Sequence, residues 1–334
     1  MLNIFSDLYN QVIQFLGIGH WIEMYKSGDY SSLNTLEGIE GAIGPLIPFL
    51  LILEIIRTAL YKRFRVLDYK VQFFTYVFNS FTGQFISLVI IARFIDFFEK
   101  HNLFKTTFAW YWLIYGYVVW EFSHFIYHYL AHKVRLLWCL HSTHHSPTSM
   151  NLAVTYAHFF FEAPYANIIR NSICLFMGVN PLMLGLIMFI DGTWGAFIHV
   201  GENFIKDGRL GFLNKIMLTP SHHRVHHARN PVYMDTNFCN LLNIWDKVFG
   251  TYVEEKKEIP IEYGITREMN PHSFLDAYFG EIVALARDVK KAPGIKNKFL
   301  YIMMPPGWSH TGNHKTAKVV REEYFKSIAR QADQ

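Results

Sequence analysis

Residues 71–92 form a run of 22 positions without a formal charge. At about 1.5 Å of rise per residue, a helix of that length crosses a hydrocarbon core of roughly 30 Å. Residues 171–190 are a second uncharged run of 20. Residues 106–120 are shorter, and "FSHFIYHYLAH" carries their aromatic character beyond the membrane interface. Residues 41–53 continue through Glu54 and Arg57 to Ala59, a weaker span whose charges are expected to face other helices. Residues 150–169 are apolar but include His158, Glu162 and Pro164. They read as a re-entrant helix that pairs with the next one as a hairpin over 150–195.

The composition agrees, with 51% hydrophobic and only 17% charged residues, where a soluble domain is nearer a quarter charged. That much apolar surface excludes a disordered chain. A net charge of +4 argues against a nucleic-acid binder, which needs a concentrated basic face. Cys139, Cys174 and Cys239 are odd in number and lack C-x-x-C spacing, so they read as buried small apolar residues. Residues 1–24 lack a basic leader and are interrupted by Asp7, which suggests an amphipathic interfacial helix. Lys62, Arg63, Arg65 and Lys70 follow the first span, while residues 1–40 are net acidic. Positive-inside reasoning then places 62–70, 121–149 and everything after the hairpin in the cytoplasm. The expected architecture is an all-α, polytopic integral membrane protein with a histidine-rich metal site at its cytoplasmic face. It divides into an N-terminal interfacial segment (1–40), a membrane-embedded domain (41–255) and a soluble C-terminal tail (256–334).

Twelve of the 17 histidines fall between His124 and His227. They cluster as "HYLAH" (His128, His132), "HSTHH" (His141, His144, His145) and "HRVHH" (His223, His226, His227), the last preceded by His222. Residues i, i+3 and i+4 share one helix face. The adjacent pair in H-x-x-H-H is splayed by about 100°, so its two rings suit two different ions. Eight such imidazoles suffice for two metals with about four nitrogens each. Two H-x-x-H-H copies by chance are of order one in a thousand for a chain of this composition. Imidazole suits Zn, Cu, Fe and Ni alike, and the absence of H-E-x-x-H counts against a zinc protease. Asp191, Glu202, Asp235 and Asp246 are candidates to accept ring N–H groups. The isolated His20, His101, His124, His158, His272, His310 and His314 read as ordinary packed or exposed histidines.

In this order the three blocks resemble the fatty acid hydroxylase/sterol desaturase superfamily. "LWCLHSTHHSPTSMNL" and "TPSHHRVHHARNPVYMDTNFCNLLNIWDKVFGTY" resemble in particular its alkylglycerol monooxygenase branch and bacterial relatives, over roughly residues 45–255. The resemblance implies a helical membrane oxygenase with a histidine-bound di-iron centre (Fe2+, with zinc as a substitute) and a catalytic domain over 41–255. It adds His199 in "GAFIHVGEN" as a ninth ligand. It also implies O2, a membrane lipid substrate and an external electron donor: a tetrahydropterin, a ferredoxin or a cytochrome b5-like protein. The location it implies is a bacterial inner membrane, or the endoplasmic reticulum in a eukaryote. Two positions depart from the branch: Lys133 follows the second histidine in place of glutamate, and Tyr129 follows the first in place of arginine.

The leading expectation is therefore a lipid monooxygenase that hydroxylates a C–H bond, with an alkylglycerol ether among its candidate substrates. Fatty acyl, sterol and ornithine-lipid hydroxylation or desaturation are alternatives within the class. A membrane transition-metal carrier is the alternative outside it, and would distribute ligands along several spans. A bis-histidine haem carrier would instead pair histidines deep in the bilayer.

Overall fold

Apolar residues recur at helical spacing along most of the chain, and the computed structural model, which describes residues 9–13, 15–82, 93 and 96–332, is all-helical. Among the described residues, β-pairing is confined to two isolated bridges, Met217 with Leu242 and Ala228 with Tyr263. The helices are α1 (Gly19–Ser27), α2 (Leu36–Ile43), α3 (Leu46–Leu60), α4 (Leu67–Thr82), α5 (Trp112–Lys133), α6 (Arg135–His145), α7 (Glu162–Phe176), α8 (Pro181–Phe197), α9 (Pro220–His226), α10 (Ile244–Phe249), α11 (Phe274–Lys291), α12 (Gly294–Met303) and α13 (Ala317–Ala332).

Among the described residues one helical stretch, Gly38–Leu60, is long and apolar enough to cross a membrane by length and composition. It contains the span that looked weakest in sequence. Its Glu54 is fully buried and accepts the backbone N–H groups of Leu152 (2.7 Å) and Gly201 (2.9 Å). Those two donors explain how a carboxylate is tolerated in an apolar helix. Arg57 instead points outward over the rings of Tyr61 and Phe204, so only one of the two charges faces inward.

The other spans need correction. α4 covers the start of 71–92 and ends at Thr82, and residues 83–92 lie outside the described residues. The interfacial helix expected over 1–24 also lies partly outside them; residues 9–13 and 15–16 are helical, and α1 follows from Gly19. Residues 106–120 are not a helix of their own, because α5 starts at Trp112 and runs 22 residues into the first histidine pair. Residues 171–190 break between Phe176 and Pro181. Gly178 turns there with φ +78°, and a Cβ would lie 2.1 Å from the Phe104 carbonyl oxygen. Asn180 then caps α8, accepting from Leu182 N–H at 3.0 Å and Met183 N–H at 3.3 Å, with Pro181 in the first turn. Thr106 pins the turn, donating to the Gly178 carbonyl and accepting from Asn180 N–H, each at 2.9 Å. The hairpin is therefore α7–α8, and residues 152–156 contribute only a 3-10 turn.

α5 is the hub. Its Tyr117, Val119 and Trp120 pack with Leu175 of α7 and with Met183 and Ile187 of α8. Burying side chains of this size is worth about 1.5–3 kcal/mol each. Gly116 lets α8 approach so closely that a Cβ would lie 2.8 Å from Ile187 Cδ1. The three cysteines are free and buried, as expected. Residues 274–303, read as part of a polar tail, are helical and packed: α11 runs along α6, and Cys139, Leu285, Ala292 and Tyr301 form one apolar cluster.

Candidate metal centre

Each histidine block is placed by a local reason for helix or turn. His128 and His132 lie one turn apart on α5, and His141, His144 and His145 close α6. α9 starts with Thr219 as N-cap, Pro220 in its first turn and His222 reaching back to the Thr219 N–H (3.2 Å). His222 Nε2 meets the Tyr252 hydroxyl at 2.8 Å, so this ring is a structural cap. His199 follows α8, and the loop after it is held by the fully buried Arg224, which donates to the carbonyls of Val200, Ile205 and Lys206.

The structure brings all nine candidate residues together, buried, in two groups. His128, His132, His141, His145 and His226 form one; His144, His199, His223 and His227 form the other, with the ligand atoms of each group all within 4.8 Å of one another. The neighbours 144/145 and 226/227 are split between the groups, their ring planes 89° and 88° apart. That is the division the helical splay requires.

Three backbone or carboxylate acceptors come from one loop. Asp235 takes His132 Nδ1–H (3.3 Å), the Thr236 carbonyl takes His226 Nδ1–H (2.8 Å), and the Phe238 carbonyl takes His128 Nδ1–H (2.9 Å). Asp235 and Asn237 reach this arrangement with φ of 56° and 57°, a left-handed conformation that costs non-glycine residues of order 1 kcal/mol and clusters at functional sites. Two buried carboxylates hold the loop. Asp246 accepts from Phe238 and Cys239 N–H, and Glu121 accepts from Asn240, Leu241 and Leu242 N–H, all at 2.7–3.1 Å.

A fourth acceptor lies on α7. Glu162, fully buried, takes His141 Nδ1–H at 2.5 Å and the Tyr127 hydroxyl at 2.7 Å on one oxygen, and His158 Nδ1–H at 2.9 Å on the other. The His158 ring stacks on His144, centroids 4.2 Å apart. One carboxylate thus braces both groups. Of the four acids singled out in sequence, only Asp235 meets a clustered ring. Asp191 faces His124 at 3.8 Å, Glu202 bonds Tyr263, and Asp246 caps backbone. Glu162 was missed as an acceptor: its spacing from His158 is visible in sequence, but nothing there ties it to His141, 21 residues earlier.

These bonds fix the tautomers and give a test of metal fit. A ring whose Nδ1–H is donated to a carbonyl or carboxylate presents a bare lone pair at Nε2. His128 and His141 are both of this kind, yet their Nε2 atoms are 3.1 Å apart with no proton available to share. His132 and His226 Nε2 are buried with no hydrogen-bond partner. In the second group His199 gives Nδ1–H to the Gly195 carbonyl (2.6 Å), and its Nε2 lies 3.1 and 2.9 Å from those of His144 and His223. Converging lone pairs repel unless a cation lies among them, so the donor set fits two metal ions. Burial favours the neutral form of eight of these rings. It lowers His132 to about 4 and His199 to about 3, and drives His128, His144, His145, His223, His226 and His227 well below the ordinary histidine value.

Comparison with known proteins converges on the same residues. The fatty acid hydroxylase family profile matches residues 113–251, the segment from the start of α5 to just beyond α10. Alkylglycerol monooxygenase from Homo sapiens is 28% identical over 288 residues, covering 83% of this chain and 62% of that protein. Its counterpart from Xenopus tropicalis is 31% identical over 188 residues, covering 56% of this chain and 40% of that protein. Ornithine lipid hydroxylase OlsE from Rhizobium tropici is 32% identical over 154 residues, covering 46% and 45%. The chain thus spans less than two thirds of the length of these relatives. No solved structure matches it. Residues 113–251, which match the fatty acid hydroxylase family profile, carry all nine clustered histidines.

Proposed function

We propose that this protein is an integral-membrane, non-haem di-iron monooxygenase that hydroxylates a C–H bond of a lipid: RH + O2 + 2 e− + 2 H+ → ROH + H2O. The observation that carries the reading is the pairing of five and four imidazoles with their bare nitrogens converging, inside the segment shared with the family. His128, His132, His141, His145 and His226 would hold one iron, and His144, His199, His223 and His227 the other. Bound there, iron supplies the O2 activation that no side chain can. The protein's part is orientation. Asp235, Glu162 and the carbonyls of Thr236 and Phe238 retain the Nδ1 protons and so aim each Nε2 inward, and burial keeps bulk water from the rings.

The membrane reading extends to a polytopic chain with residues 41–255 as the catalytic unit and the histidine face in the cytoplasm. It is supported by the Gly38–Leu60 helix and by large apolar side chains exposed along several elements, among them Phe49, Leu53, Phe73, Trp110, Ile114 and Leu182. The names of the relatives point to an ether lipid or an ornithine lipid as substrate, and a pterin, ferredoxin or cytochrome b5-like protein as donor completes the stoichiometry. The test is elemental analysis of protein purified without O2, followed by exposure to 18O2 with lipid extract and a reductant. Two irons per chain and 18O in a lipid product are expected. Metal bound without any O2-dependent lipid product would favour the metal carrier.

A further inference from the structure

The proposed reaction consumes two electrons, and the structure points to where they enter. A cleft reaches the first histidine group: His132, His145 and His226 line it, and the Nε2 atoms of His132 and His226 are buried behind it without a hydrogen-bond partner. Trp138 lines one wall, its ring centroid 5.2 Å from His132 and 5.5 Å from His145. The remaining walls include Ile265, Thr266, Pro305, Pro306 and Ala317, all from the polar C-terminal segment. No lining residue comes from α3, α4 or α8, where apolar side chains are exposed.

Its mouth is basic. Arg229 and Lys315 line this cleft, and Lys133, Lys318 and Arg321 line a shallower one that shares Asp235 with it. The acids in reach are already engaged: Asp235 with Lys133, Glu262 with Arg229 at 3.6 Å, and Glu322 with Lys318 at 3.9 Å. Among the described residues, Lys315 and Arg321 have no carboxylate partner within ion-pair distance, and Arg321 donates to the Met234 carbonyl beside Asp235. Five cations against three acids leave a positive rim beside neutral imidazoles.

We propose that this cleft is the docking site of a small, water-soluble, anionic electron donor, whose anionic group sits between Arg229 and Lys315 with its body against Trp138. Resting on the monooxygenase reading, the balance is explicit. The donor is oxidised by two electrons in total; with two protons these reduce one atom of O2 to water while the other enters the C–H bond.

The full chain in phosphatidylcholine nanodiscs tests this by stopped-flow reduction of the iron-loaded, oxidised centre. Two viologen radicals of similar reducing power serve as probes, the sulfonatopropyl form (an anion) and the methyl form (a cation). At low salt the anion should react about tenfold faster or more, and high salt should shrink the difference to about twofold. Arg229→Glu combined with Lys315→Glu should reverse the preference at unchanged iron content. Equal rates, or a preference that survives the charge reversal, overturn the proposal. Loss of the anion's advantage when phosphatidylglycerol is added to the discs also overturns it, and assigns the rim to a lipid headgroup. A parallel titration of ascorbate into zinc-loaded protein needs no redox activity. Binding that the charge reversal abolishes supports the cleft even if no viologen reduces the centre, in which case the iron reading fails alone. Absence of ascorbate binding counts against the cleft itself.

Discussion

The two histidine groups are built from the same motifs yet supported differently. In the five-histidine group, four rings have Nδ1 held: His128 and His226 by carbonyls, His132 by Asp235 and His141 by Glu162. In the four-histidine group only His199 has an acceptor of this kind, the Gly195 carbonyl, and the Nδ1 atoms of His144 and His223 are buried without partners. A ring anchored at one nitrogen cannot swing, so the first group is pre-organised to receive an ion, and the second would rely more on the ion itself. The difference teaches that identical H-x-x-H-H spacing does not give equivalent sites. What lies behind each ring decides.

Removing a ligand should break the comparison outright. His226→Ala should cost the first ion and His223→Ala the second, each lowering metal from about two to about one per chain. Activity should fall by more than the 10–100-fold typical of losing an outer partner, as read by elemental analysis and turnover on the same preparations. Two variants that keep both ions and full turnover would remove the ligand assignment.

Deleting the braces should discriminate between the groups. Asp235→Ala is expected to weaken only the five-histidine ion, by about 10–100-fold. Glu162→Ala should do the same and also disturb the other ion through His158, while Glu162→Gln should recover part of the loss. Metal titration of the cobalt-substituted protein, followed by its visible spectrum, separates the two. A chelator time course on the unmutated protein should show two phases about tenfold apart, the four-histidine ion leaving first. A single phase would mean that the unequal support has no consequence.

A further expected effect is on pH. In the metal-free fold His132 titrates at about 4 and His199 at about 3, against 6.5 when unfolded. Between those values the unfolded chain binds more protons than the folded one. Stability is therefore fully present above about pH 6.5 and falls on acidification through the window down to about 4 or 3, by at most about 1.4 kcal/mol per pH unit for each such ring. Melting of the metal-free protein at pH 7.5 and 5.5 should show the drop.

Much of the site was legible because metal binding is written in short intervals. Spacings of three and four residues place rings on one helix face whatever the rest of the fold does, so eight clustered histidines and their division into two groups could be read directly. The helical class followed from the apolar runs. The hairpin was misplaced because an uncharged run looks continuous until Gly178, Asn180 and Pro181 are weighed as a turn and a cap, held by Thr106 from 72 residues away. Glu54 could be seen in sequence only as a charge in an apolar helix; its partners, Leu152 and Gly201, are 98 and 147 residues distant.

The sequence by itself determined the helical class, the clustering of the histidines and the pairing of rings along each helix, since all of these depend on residues within one or two turns. Only the tertiary structure decided which ring meets which acceptor, that Glu162 braces both groups, that residues 274–303 pack on α6 and that a basic cleft opens over His132. Those contacts join residues far apart in the chain, and no local periodicity records them.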